Sequence, residues 1–321
     1  MNFPVFDLHC DTAYALLGKG LNEAGSLLKN GYHIDLSRAS KLPGYAQCFA
    51  CFNTPDMQQW HGRSPVTVFE LELATILREI EKNQDRIALA YSAKDIEKNQ
   101  CNGVMSAILT IEGTSGFSYD PALLEDLYKI GFRITTLGWN EYNPLTGSHI
   151  TGEGLSYAGR EFVREAQRVG MVVDVSHISD KAFWDIMEIS QAPIVATHSN
   201  SRKLCDVSRN LTDDMFLAVC QTGGVAGINL YVDFLGNEAT ISTAADHICH
   251  FLELDPDAKH IALGGDLDGC DTLPAGFHDV QDYPKLAEEL IRRGLGADKI
   301  QNIFWNNALG VIGNAVRNNK K

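Results

Sequence analysis

The chain has 321 residues, 45% hydrophobic and 21% charged, a globular composition that excludes collagen-like, low-complexity and disulfide-scaffold proteins. Its 27 basic and 41 acidic residues give a formal net charge of −14, which argues against a nucleic-acid surface or an anionic-membrane binder. No apolar run has the length of about 18 residues that a transmembrane helix needs. Because MNFPVFDLHCD lacks the basic start of a signal peptide and VRNNKK lacks an apolar tail, we expect a cytoplasmic protein.

Eight short apolar runs alternate with helical patterns along the chain. The runs are 5–9, 46–52, 104–112, 132–139, 171–177, 193–199, 224–231 and 260–266. The helical patterns are 65–83, 121–130, 159–170, 181–190, 212–223, 283–294 and 297–316. Short apolar runs without strict alternation are typical of parallel strands buried on both faces. They favour a single α/β domain over residues 1–321, a (β/α)8 TIM-like barrel. An open doubly wound sheet is the alternative, but its usual Gly-rich turn does not follow the first run.

Metal-binding and titratable side chains cluster at the carboxyl ends of five of the eight runs. In chain order they are His9 with Asp11, Glu112, Asp174 with His177, His198, and Asp266 with Asp268. Because the carboxyl ends of barrel strands meet at one mouth, we expect these side chains to converge. His9 and Asp11 are two residues apart, so in an extended strand their side chains project from the same face, about 7 Å apart. Imidazole and carboxylate ligands without Cys thiolate are typical of hydrolytic zinc sites, and a doubled set indicates a two-metal site.

These residues lie in motifs that resemble the membrane (renal-type) dipeptidase family, peptidase family M19, within the amidohydrolase superfamily. The motifs are DLHCDT (7–12), TIEGTSGF (110–117), DVSHIS (174–179), ATHSNSRKLCDVSRNLTDD (196–214), GGVAGINLY (223–231) and GGDLDG (264–269). They occur in family order, and the resemblance extends from residue 5 to about 316. It implies a barrel of the metal-dependent hydrolase type, two Zn²⁺ ions per subunit and a homodimer.

The resemblance also implies roles for five ligands of the metal ions. His9 and Asp11 bind one Zn²⁺, His177 and His198 bind the second, and Glu112 bridges both. These are expectations from the motifs alone.

Three further residues match the substrate machinery of the family. Asp266 matches the acid/base carboxylate, with Asp268 as a rival; we prefer Asp266 because the run IALGG leads straight into it. Arg209 matches the arginine that holds the C-terminal carboxylate of the substrate, a role that suits the planar guanidinium. Tyr231 matches a pocket tyrosine.

One position departs from the family pattern. Many animal members carry a histidine after the fourth strand that polarises the scissile carbonyl, and Trp139 occupies that place. Asn140 is a candidate hydrogen-bond donor to the substrate in its stead, and His149 in the long loop 140–158 is another. The departure concerns substrate scope rather than the metal site.

The sequence therefore predicts a dinuclear zinc dipeptidase that hydrolyses dipeptides with a free C-terminal carboxylate and tolerates a D-residue at that position. The predicted partner is a small dipeptide substrate, without nucleic acid or membrane. An N-acyl amino acid deacylase or a lactonase of the same superfamily would share the metal site and is the alternative enzyme. A non-catalytic barrel used as a binding module is the alternative outside catalysis, and the full ligand set argues against it.

Overall fold

The computed structural model describes residues 3–18, 20–21 and 25–317. Its nine parallel strands belong to one sheet. The strands are β1 Val5–Cys10, β2 Tyr45–Phe52, β3 Ile87–Leu89, β4 Met105–Glu112, β5 Phe132–Thr136, β6 Val172–Asp174, β7 Ile194–Val195, β8 Ala226–Ile228 and β9 Ile261–Leu263. All eight predicted strands are present, although most are shorter than the apolar runs that predicted them.

Eight of these strands close into a barrel. Their spatial order is β7-β6-β5-β4-β2-β1-β9-β8. The two ends of this order meet, because Ala196 N donates to Val225 O (3.0 Å) and Gly227 N donates to Ala196 O (2.8 Å). The predicted (β/α)8 architecture is confirmed, and the open sheet is excluded.

Strand β3 was not predicted, and it lies outside the barrel order. The first half of β4 pairs with β3, through Met105–Ala107, and the second half pairs with β5. A strand of three residues, two of them only half-buried, has too short a pattern to be recognised in the sequence.

Helices surround the barrel and fill its connections. They are α1 Thr12–Ala15, α2 Leu36–Ala39, α3 Met57–His61, α4 Pro65–Lys82, α5 Ala93–Cys101, α6 Leu124–Ile130, α7 Tyr157–Val169, α8 Asp180–Ile189, α9 Asp213–Gln221, α10 Val232–Leu235, α11 Ile241–Leu254, α12 Tyr283–Arg292, α13 Ala297–Gln301 and α14 Asn307–Arg317. A π-helical turn, Asn302–Asn306, joins α13 to α14, so the predicted helix 297–316 is continuous with one widened turn. In the described part of the chain, no helix combines the length and apolarity required to cross a bilayer.

The barrel interior is closed where its strands begin. Apolar side chains from seven barrel strands and Val225, which directly precedes β8, form one buried cluster with Trp305 and the α14 residues Ala308, Val311 and Ile312. The Trp305 ring packs on Phe6 of β1 at 5.8 Å between centroids. Because this end is filled, polar groups gather at the opposite, carboxyl end of the strands, where barrel active sites lie.

Candidate metal centre and active site

The five predicted metal ligands and Asp266 converge at the carboxyl ends of the barrel strands. Glu112 lies at their centre, and its two carboxylate oxygens face different partners. Oε2 is 3.4 Å from His9 Nε2, whereas Oε1 is 2.8 Å from His177 Nε2 and 3.5 Å from His198 Nε2. The last two nitrogens are 2.9 Å apart. One carboxylate therefore joins two groups of candidate ligands.

The group on the His9 side contains two further carboxylates. His9 Nε2 is 3.7 Å from Asp11 Oδ1 and 3.8 Å from Asp266 Oδ1. Both His9 Nε2 and Asp11 Oδ1 are buried and have no hydrogen-bond partner among the described residues. Gly269 leaves room for this group, since a Cβ at that position would lie 2.2 Å from Asp11 Oδ2 and 2.5 Å from Asp266 Oδ1.

The local backbone departs from regular strand geometry at these ligands. A bulge in β1 places the four residues from Asp7 to Cys10 against three residues of β2, and re-aims His9. His177 and Asp266 have φ values of +68° and +56°, which side-chain-bearing residues rarely adopt. Such conformations persist where the surroundings enforce them, and they cluster at functional sites.

Hydrogen bonds determine which nitrogen of His198 faces the cluster. Thr197 Oγ1 donates to Asp174 Oδ2 (2.5 Å), so it accepts from His198 Nδ1–H (2.7 Å). Asp174 Oδ1 also accepts from Ser176 N and Thr197 N, both at 2.9 Å. The lone pair of His198 Nε2 therefore points towards Glu112, the tautomer that a metal ligand requires.

Asn140 orients the second histidine rather than standing free at the mouth. Its Oδ1 lies 3.0 Å from His177 Nδ1 and 3.0 Å from His149 Nε2, and an amide oxygen can only accept. The other nitrogen of His149 bonds to Ser208 Oγ at 3.0 Å. Burial, then the charges of Arg209 and Arg202, lower the pKa of His149 to about 4, so its ring is neutral. Both ring nitrogens of His149 are thus engaged.

Arg209 is buried beside the cluster with most of its donors unused. Its side chain is 3% exposed, and Nη1 donates to Ser199 Oγ at 2.7 Å. Nε and Nη2 are buried and have no partner within the described ranges. The guanidinium also lies 5.6 Å from the Phe234 ring. A buried cation with two free N–H groups can bind a planar anion such as a carboxylate.

The two aspartates of the GGDLDG motif have different surroundings. Asp266 Oδ2 accepts from Asn229 Nδ2 (3.0 Å), and Oδ1 faces His9. Asp268 instead accepts from Thr12 Oγ1 (2.6 Å) and from the backbone of His33, and so ties two loop segments together. The geometry favours Asp266 as the carboxylate at the site. Asn229 was missed in the sequence, because it lies inside the apolar run 224–231, although β8 ends at the residue before it.

Tyr231 and Trp139 follow different strands, β8 and β5, and contact different parts of the site. The Tyr231 ring packs edge-on against Phe234 at 5.0 Å, and Phe234 in turn contacts Arg209. Trp139 lies 6.2 Å from the His177 ring. Tyr231 therefore borders the arginine indirectly, and Trp139 adjoins a candidate ligand.

Burial and mutual charge interactions shift the pKa values of the clustered side chains. Burial and then the neighbouring Asp11 raise the pKa of Glu112 to about 7, although His9 opposes the change. Burial alone would lower the pKa of His9, but the charges of Glu112 and Asp11 outweigh it and raise that pKa well above its usual value. Burial lowers the pKa values of His177 and His198 well below the usual range, which keeps both rings neutral.

The residues fit bound cations. His9, Glu112 and His198 form one group, and His9, Asp11 and Asp266 form another, in which candidate ligand atoms all lie within 4.8 Å of one another. Buried carboxylates and imidazoles with unpartnered atoms are costly unless paired or coordinated. Nitrogen and oxygen donors without thiolate suit a hydrolytic zinc site.

Comparison with known proteins decides the family. Residues 1–321 match the family described as membrane dipeptidase (Peptidase family M19). The chain belongs to this family. The match confirms the resemblance stated above, and the enzyme class of the family, a metallo-dipeptidase, is the class that the sequence predicted.

Curated relatives of this M19 chain vary in length. It is 32% identical over 330 residues to an uncharacterized dipeptidase of Schizosaccharomyces pombe, covering 96% of this chain and 79% of that one. It is 31% identical over 264 residues to Dipeptidase 3 of Rattus norvegicus, covering 79% of this chain and 53% of the relative. The chain thus spans about half the length of some curated relatives, including a second Schizosaccharomyces pombe dipeptidase of which it covers 52%.

Solved structures of similar proteins share the whole fold. A metallopeptidase from Rhodobacter sphaeroides, liganded with a phosphinate mimic of the dipeptide L-Ala-D-Ala, is 25% identical with a TM-score of 0.88. The alignment covers 98% of this chain and 100% of that one. A probable dipeptidase from Pseudomonas aeruginosa, 19% identical with a TM-score of 0.87, shows the same fold.

Proposed function

We propose that this M19 chain is a dinuclear zinc dipeptidase that cleaves dipeptides with a free C-terminal carboxylate and accepts a D-residue at that position. One observation carries the proposal: the two oxygens of Glu112 face two separate sets of nitrogen and oxygen donors beside a buried arginine with free N–H groups. The L-Ala-D-Ala mimic bound to the Rhodobacter sphaeroides relative supports the D-residue tolerance.

In this proposal each ligand has a defined place. His9 and Asp11 would hold one Zn²⁺, His177 and His198 would hold the other, and Glu112, whose carboxylate faces both sets of side chains, would serve both. When bound, two such cations lower the pKa of a water molecule and stabilise negative charge on the substrate carbonyl.

The chain's own residues orient the substrate and move the proton. Arg209 binds the free carboxylate through Nε and Nη2, which fixes one end of the dipeptide. Asp266, held by Asn229 at one oxygen, accepts a proton from the attacking water with its other oxygen and delivers it to the leaving amine. Asn140 holds His177 in the ligand tautomer, a different role from the substrate contact expected from the sequence. Tyr231 supports the arginine through Phe234.

A dipeptide panel with metal analysis on the same sample tests the proposal. We expect hydrolysis of Ala–Ala and L-Ala-D-Ala, with about two zinc ions per chain by elemental analysis. N-acetylated alanine tests the deacylase alternative: preference for it over the free dipeptides would contradict the proposal, as would absence of hydrolysis after zinc is restored. Cytoplasmic location, the single domain and the homodimer stay predictions.

A further inference from the structure

Five rings border the candidate metal centre on one side of the mouth, and we call them the aromatic wall: Tyr14, Phe52, Trp60, His61 and Trp139. The Trp139 ring meets Phe52 at 5.0 Å and Trp60 at 5.9 Å, both edge-on. Tyr14 meets Phe52 at 5.6 Å, and its hydroxyl bonds to His61 Nε2 at 2.6 Å. The five rings are therefore continuous.

The wall reaches the ligands at two points. Trp139 lies 6.2 Å from the His177 ring, and Tyr14 follows Asp11 by three residues on α1. Burial, then the charges of Glu72 and Asp11, raise the pKa of Tyr14 to about 12, so its phenol is neutral. The wall therefore places a neutral phenol beside Asp11 and an indole ring beside His177.

The back of the wall is packed and its front is open. Tyr14, Phe52 and Trp139 belong to a buried apolar cluster with Met57 of α3 and Val68 of α4. In front, the side chain of Trp60 is 45% exposed. Rigid, half-exposed aromatic rings offer a large apolar contact area that needs little ordering on binding.

The barrel order places most of the wall across the mouth from the arginine. The wall consists of the last residue of β2 and of residues from the connections after β1, β2 and β5, whereas Arg209 follows β7 and packs on Phe234 after β8. In the closed order of eight strands, β2 lies directly across from β7, whereas β1 is three strands away from β7 and β5 is two strands away. A dipeptide anchored by its carboxylate at Arg209, with its amide over Glu112, therefore extends its N-terminal residue towards the wall.

We infer that the aromatic wall is the specificity surface for the N-terminal residue of the substrate, and that it selects a bulky apolar or aromatic side chain there. The inference rests on the proposed dipeptidase function and adds a substrate class to it. The reason is the apolar area removed from water on binding. A phenylalanine side chain covers much of the aromatic wall, whereas an alanine methyl group leaves most of the wall in contact with water.

The test compares Phe–Ala with Ala–Ala in the zinc-loaded enzyme. We expect the wild type to favour Phe–Ala in kcat/KM, and the substitution Trp60→Ala to reduce this preference by about tenfold, mainly through KM for Phe–Ala. Trp60→Phe, which keeps a ring, should retain most of it. Trp184→Ala is the matched control, because Trp184 is 47% exposed on α8, away from the wall, and should leave both substrates unaffected.

Failure of the inference is distinct from failure of the proposed function. If the wild type hydrolyses neither dipeptide, the function is wrong. If it hydrolyses both without favouring Phe–Ala, or if Trp60→Ala keeps the wild-type preference with an unchanged thermal midpoint, the wall does not select the N-terminal side chain. If Trp60→Ala lowers the midpoint of thermal unfolding, Trp60→Phe provides the test instead: its ratio of kcat/KM for Phe–Ala to that for Ala–Ala must stay close to the wild-type ratio, and a lost preference would contradict the inference.

Discussion

Replacing Arg209 by alanine removes the group that we propose recognises the substrate carboxylate. In the structure, Nη1 is used by Ser199, and Nε and Nη2 are free for two charge-assisted hydrogen bonds. Each such bond contributes about 1.5–3 kcal/mol, so their loss costs about 3–6 kcal/mol of transition-state binding. At about 1.4 kcal/mol per tenfold change in rate, kcat/KM should fall by about 10² to 10⁴. Arg209→Lys keeps the positive charge but not the planar pair of donors, so its kcat/KM should lie between the values of the wild type and of Arg209→Ala.

The assay measures kcat/KM for Ala–Ala and for the neutral amide Ala–Ala–NH₂. The wild type should strongly favour the free acid, and Arg209→Ala should lose that preference because it slows only the free acid. Arg133→Ala controls for removal of a buried arginine, since Arg133 is 4% exposed and bonds to backbone carbonyls away from the mouth. Arg133→Ala should be less stable than the wild type but should keep the preference for the free acid over the amide. A preference retained by Arg209→Ala would refute carboxylate recognition by this residue.

Three further outcomes follow from the buried polar groups. Removing divalent cations with a chelator should lower the midpoint of thermal unfolding by about 5 °C or more, and added Zn²⁺ should restore it. In Glu112→Gln the midpoint should change less on chelation. A wild-type midpoint that does not change on chelation would contradict a cation site. Thr197→Val breaks the hydrogen bond to His198 Nδ1 and should weaken zinc affinity about 10–100-fold by calorimetry, whereas Thr110→Val, whose hydroxyl is buried without a partner in the described chain, should not. Burial, and then the charge of Asp11, raises the pKa of Glu72 well above its usual value. The folded protein therefore binds the carboxyl proton of Glu72 more tightly than the unfolded chain does. Stability should fall as the pH rises from the pKa of Glu72 in the unfolded chain to its pKa in the folded protein. With the metal removed by a chelator, Glu72→Gln should therefore have a higher free energy of unfolding in urea than the wild type at pH 8, but not at pH 4. An equal difference at both pH values would show that the titration of Glu72 does not affect stability.

Much of the fold was predictable because it depends on local pattern. Eight buried strands separated by helices leave few arrangements, and the apolar runs identified every barrel strand. Strand β3 escaped because three residues carry no distinctive period. The runs also overestimated strand length: the run 171–177 contains only Val172–Asp174 as strand, because the chain turns before His177, whose φ is +68°.

The members of the candidate site were predictable from the sequence, whereas the hydrogen bonds that hold them were not. Residue type and position after a strand selected His9, Glu112 and His198, and the motifs placed Asp266 and Arg209 with them. The run IALGG favoured Asp266 over Asp268 in the sequence, and the structure supplies the contacts behind that preference: Thr12 and the loop at His33 engage Asp268 and leave Asp266 at the site.

The sequence by itself determined the kinds of side chain, their order and the family to which the chain belongs, because these depend on residue identity and local period. Only the tertiary structure decided that Asn140 holds His177, that Arg209 keeps two donors free, and that rings from three separate connections form the aromatic wall. Each of these facts is a contact between segments far apart in the chain. Such contacts exist only once the barrel has closed and brought the strand ends to one mouth.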